Sequence, residues 1–115
     1  MISEPTWKVE YKKELDLALQ ARSNGNEGMA RVCARRAAGI VIGEYLQRHG
    51  HTHINSNVYD RIALFCASPE VDDRYKEVTR HFLRKVNIDH NLPVNTDLIH
   101  NAEWLKESLL DDRQD

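Results

Sequence analysis

Three groups of residues have side chains and spacings that could do chemistry. His49, His51 and His53 alternate, and alternate residues share a side in extended chain. Three imidazoles so placed could hold a divalent metal such as zinc. No adjacent Cys, Asp or Glu completes the set, and Asp60 follows only at a distance. No metal is therefore assigned, and a solvated loop is the competing role. Arg31, Arg35 and Arg36, with Arg22 nearby, form the densest basic group. Arg31 and Arg35 stand at i, i+4 on one helix edge. A guanidinium fork suits phosphate because it bonds two oxygens at once, and a two-fold dimer would double such an edge into an anion groove. Ion pairing with Glu10, Glu14 or Asp16 is the competing role. Arg80, His81, Arg84 and Lys85 form a second basic edge running toward His90. There a histidine could act as general base while an arginine stabilises the charge of a phosphorane, a ribonuclease mechanism that needs no metal. The competing role is a solvated helix face paired with Asp73 and Glu77.

The rest of the chain excludes more than it assigns. There is no glycine-rich phosphate loop, no GxSxG elbow and no HExxH pair, so no cofactor is implied. A net charge of −2 over 115 residues gives no global attraction to nucleic acid or anionic lipid. No unbroken apolar run, including the one through Gly39 to Gly43, approaches the length needed to cross a membrane. The first residues contain no apolar signal-peptide core, so a cytoplasmic protein is expected. Cys33 and Cys66 are far apart, form no CxxC pair and read as free buried thiols.

These residues are positioned by helices. The length fits one domain over 1–115, and the pattern is all-α: an up-and-down four-helix bundle with one short extra helix. Trp7, Tyr11, Leu15, Ala18 and Leu19 form the stripe of a first helix capped by Ser3 or Thr6. Ser23-Asn24-Gly25-Asn26 ends it. Glu27 to Gln47 is apolar or small almost all round, including Met29, Cys33, Ala37 and Ile40, so it must be enclosed by other helices. Ala34, Ala38, Gly39 and Gly43 would let neighbours approach closely. RHGHTHINSN is the main loop. A short helix then starts at Ser56 or Asn57, with Val58, Ile62 and Phe65 on one face. Ser68-Pro69-Glu70 reads as a restart, followed by a stripe of Val71, Tyr75, Val78, Phe82 and Val86. Asn95 or Thr96 caps the last helix, whose stripe is Leu98, Ala102, Leu105 and Leu109. Trp104 falls off that stripe, at an interface or at the edge of the bundle. Tyr11, Leu15, Cys33, Ile40, Ile62, Tyr75, Phe82, Ala102 and Leu105 are the expected core.

A tyrosine-bearing first helix, a short turn, the alanine-rich MARVCARRAAGIVIGEYL and a closing DLIHNAEWLKESLL together resemble the HEPN domain (the higher eukaryotes and prokaryotes nucleotide-binding domain). The resemblance covers roughly Trp7 to Leu110. It implies a bundle, a homodimer, and an association with nucleotides, RNA or a nucleotidyltransferase partner. Catalytic HEPN members carry an arginine, usually a polar residue next, and a histidine a few positions on, at or near the final helix. Arg84 and His90 match best as a catalytic pair, ahead of Arg48 and His53. His100 in the last helix has no arginine before it at that distance. The resemblance therefore implies a binding or regulatory module first and a metal-independent, toxin-like ribonuclease second, with a purely structural bundle subunit as a third role. Arg31, Arg35, Arg36 and Arg80 are the expected binding residues.

Overall fold

The computed structural model describes residues 4–83 and 97–110. These residues are all-helical, with no strand among them. In chain order they form α1 (Thr6–Ser23), α2 (Glu27–Arg48), α3 (Val58–Ala67), α4 (Asp73–Arg80), a 3₁₀ turn (His81–Leu83) and α5 (Leu98–Leu109). No described helix is long and apolar enough to cross a membrane.

The enclosed character of α2 is present. Ala30, Cys33, Ala34, Ala37, Ala38, Val41, Ile42 and Leu46 are buried, and α1, α3 and α5 all pack on this helix. Met29 departs from the expectation: near the free start of the helix, it is 46% exposed. In α1 the buried face is Trp7, Tyr11, Ala18 and Ala21, while Leu19 faces solvent. The connection explains this shift. A short turn with Gly25 at φ +78° brings α1 directly back against α2, and small residues on both sides, Ala18 and Ala21 against an alanine-rich helix, permit a close approach. Of the nine expected core residues, Tyr11, Cys33, Ile62, Phe82, Ala102 and Leu105 are buried. Leu15, Ile40 and Tyr75 pack against the core while partly exposed.

The caps correct several boundaries. Pro5 holds the N-cap position of α1 and makes no side-chain cap bond, Thr6 is the first helical residue, and Ser3 lies outside the described residues. Asn57 caps α3 as expected, accepting from the amides of Tyr59 and Asp60. Ser68 does not start a helix. It is buried at the C-terminal end of α3, where its hydroxyl donates to Leu64 O at 2.9 Å. Asp72 caps α4 instead, because its carboxylate accepts from the free Arg74 amide as the backbone turns helical. The described part of the stripe runs as far as the 3₁₀ turn, and Val86 lies outside the described residues. Asp97 caps α5 by accepting from Ile99 N and His100 N at 3.0 and 3.3 Å. The expected caps Asn95 and Thr96 also lie outside the described residues.

Arg22 joins this cap to the first turn. Its guanidinium grips both oxygens of Glu27 at 2.9 and 3.0 Å and reaches Asp97 Oδ2 at 3.0 Å. The end of α1, the start of α2 and the start of α5 are thereby tied together. Arg22 holds the Glu27 carboxyl below its ordinary range. At Asp97 burial pushes upward, but the His100 amide and Arg22 outweigh it and leave that carboxyl low as well.

Candidate functional site

The basic edges do not assemble into one pocket among the described residues. Arg35 serves the fold: its Nε donates to Phe82 O at 2.8 Å, at the 3₁₀ turn, and its guanidinium lies 5.5 Å from the Tyr59 ring centre. A cation over an aromatic face is held by the ring quadrupole. Arg31 is half-buried near the start of α2, where its charge helps to lower Glu27. Arg36 and Arg80 are exposed. Arg84 and His90, the matched pair, lie outside the described residues, as does Lys85.

The three loop histidines separate. His49 Nδ1 lies 2.8 Å from Tyr45 O, with its ring 4.0 Å from the Tyr45 ring. His51 Nε2 lies 3.9 Å from Glu70 Oε1, and His53 is exposed. No group of three or more His, Cys, Asp or Glu converges among the described residues. Arg48, of the second arginine–histidine pair, holds Glu44 at 2.9 Å and lies over the Trp7 ring. Trp104 leans on Tyr75, with ring centres 5.2 Å apart, and so closes an edge of the fold. Both cysteines are free. Burial, and then the Glu14 charge, push the Cys33 thiol upward, which makes it a poor nucleophile.

A further concavity lies elsewhere. A cleft of about 660 Å³ opens between the start of α1, the second half of α2, the loop around His51 and the first turn of α3. That size suits a small molecule. Gly43 lines the cleft, and Gly39 lies one turn earlier on α2. A Cβ at Gly39 would come within 2.8 Å of Val58 Cγ2, and one at Gly43 within 2.7 Å of Arg61 Nη1. The missing side chains therefore make a notch into which α3 settles. Trp7, Ile40 and Ile54 supply the apolar wall.

Arg61 is the built element of this cleft. Its Nε donates to Asn55 O at 2.8 Å and its Nη1 to Gly39 O at 3.0 Å. Two main-chain carbonyls thus fix the plane of the guanidinium. A guanidinium has five N–H groups, so about three remain for other acceptors. Residue types alone point poorly to Arg61, because it belongs to no motif. The available signal was the Gly39–Gly43 spacing, which matches Val58 and Arg61 on the facing helix.

No protein-family model, no curated protein and no solved structure matches this chain.

Proposed function

We propose that the chain is a HEPN-like binding or regulatory module, a four-helix bundle with one short extra helix, that takes a small ligand in the cleft beside Arg61. The single observation behind this reading is Arg61 itself: a guanidinium locked by two carbonyls at the edge of a cleft, with N–H groups left over. Preorganised donors cost little ordering on binding. Arg22 and Arg35, by contrast, join elements of the fold. Nucleotides are the first ligand class, since the resemblance implies them and an arginine fork suits phosphate. A homodimer, RNA and a nucleotidyltransferase partner are carried by the same resemblance. Val9, Leu17, Leu19 and Met29 leave apolar surface on α1 and α2 that a second copy would cover.

The test separates binding from cleavage. Pure protein is incubated with labelled RNA and with nucleotides, with and without chelator. Binding without cleavage supports the module. Cleavage that survives chelator and disappears in His90→Ala overturns it in favour of the ribonuclease. Sedimentation at roughly 10–100 μM, well above the dissociation constants of specific complexes, should show a dimer.

A further inference from the structure

The lining of the cleft carries opposite charges contributed by different helices. Arg61, on α3, forms the cationic wall, fixed as described by Asn55 O and Gly39 O. Helix α1 contributes Glu10 to the lining. Glu44 also lines the floor, but Arg48 Nε holds its Oε2 at 2.9 Å and neutralises it. Glu10 is exposed and near the apolar wall of Trp7 and Ile40. The cleft lining therefore combines a guanidinium from α3, a carboxylate from α1 and apolar side chains.

We propose that this cleft selects a small zwitterion with an apolar body, of amino-acid to dipeptide size: its carboxylate on Arg61, its ammonium on Glu10, and its side chains against Trp7, Ile40 and Ile54. The proposal rests on the reading of the cleft as the ligand site and departs from it in ligand class. A ligand with a single negative charge would satisfy Arg61 and leave Glu10 opposed only by water. A zwitterion satisfies both walls and adds no net charge to a neutral cleft. The anionic head gains most, because Arg61 is already oriented, and bonds between charged groups are the stronger ones.

Calorimetric titration with four probes tests this: leucyl-leucine, its N-acetyl form, its C-terminal amide and AMP. Leucyl-leucine should bind, and each singly blocked form should bind at least about tenfold more weakly, as expected for loss of one charged hydrogen bond. Glu10→Gln, on an exposed position, should weaken leucyl-leucine about tenfold and leave the N-acetyl form unchanged. Arg61→Lys should weaken leucyl-leucine and the N-acetyl form alike, with a thermal melt confirming that the variant is folded. Blocked and free dipeptides binding equally well would overturn the two-pole assignment while leaving the cleft as a ligand site. AMP binding without dipeptide binding would do the same and favour the nucleotide. No binding by any probe would overturn both.

Discussion

Arg35 and Arg61 each reach across a helix interface to a main-chain carbonyl, yet they end in different surroundings. Arg35 leaves α2, bonds Phe82 O, and has its charge covered by the Tyr59 ring. Arg61 leaves α3, bonds two carbonyls, and lies at the edge of an open cleft. The same chemistry serves as an interior tie in one place and as a prepared receptor in the other. What separates them is the α2 surface beneath. Under Arg61 the absent side chain of Gly43 leaves the space that the guanidinium occupies, while Gly39 makes room for Val58 of the same helix. An arginine's residue type therefore says little until the groups opposite it are known.

The largest expected effect lies in the core. Phe65 is fully buried and Ile40 only partly so. Phe65→Ala should destabilise by about 3–5 kcal/mol, and Ile40→Ala by about 2 kcal/mol, at the low end for a buried isoleucine. Urea denaturation measures both. Equal losses would mean that the cleft wall is as enclosed as the core.

The two glycines provide the next contrast. Gly39→Ala would press a Cβ onto Val58, a stiff β-branched side chain, and should cost about 1–3 kcal/mol. Gly43→Ala would meet only the end of Arg61, which can move. The better helix propensity of alanine should then keep stability within about 1 kcal/mol of the parent. Displacement of Arg61 should still remove leucyl-leucine binding. Unchanged binding in folded Gly43→Ala would detach the notch from the site.

Several of these features were legible in the sequence, and the exceptions share a cause. The stripes of α3 and α5, the enclosed α2 and the close-approach glycines follow from periodicity and residue size. The caps Asp72 and Asp97 were missed in favour of neighbouring Ser, Asn and Thr residues. All these types cap well, and only the backbone path decides among them. Arg22 was counted with the basic group, because its partners Glu27 and Asp97 come from two other helices. Arg61 was missed because its role depends on carbonyls from the loop and from α2, and main-chain acceptors leave no mark in a sequence.

A smaller effect concerns the Arg22 cluster. Asp97→Ala removes a cap and should cost about 1 kcal/mol at neutral pH. Glu27 and Asp97 are both held below their ordinary carboxylate values. Their contribution is therefore present above about pH 4 and is lost as the pH falls through their lowered folded-state values. The stability difference between parent and Asp97→Ala should shrink over that acid range in denaturation followed by circular dichroism. A difference that persists at the acid end would assign the cost to something other than the carboxylate. At the smallest scale, Arg36→Ala, on an exposed position, should change stability by no more than about 0.5 kcal/mol.

The two tryptophans offer the most direct test of the cleft as the ligand site. Trp7 lines it, while Trp104 packs on Tyr75 and is not part of its lining. Their indole N–H groups give two separate signals in a nitrogen–proton correlation spectrum. Titration with leucyl-leucine should shift the Trp7 signal progressively to saturation and leave that of Trp104 in place. A shift confined to Trp104, or saturable binding that moves neither signal, would contradict the account.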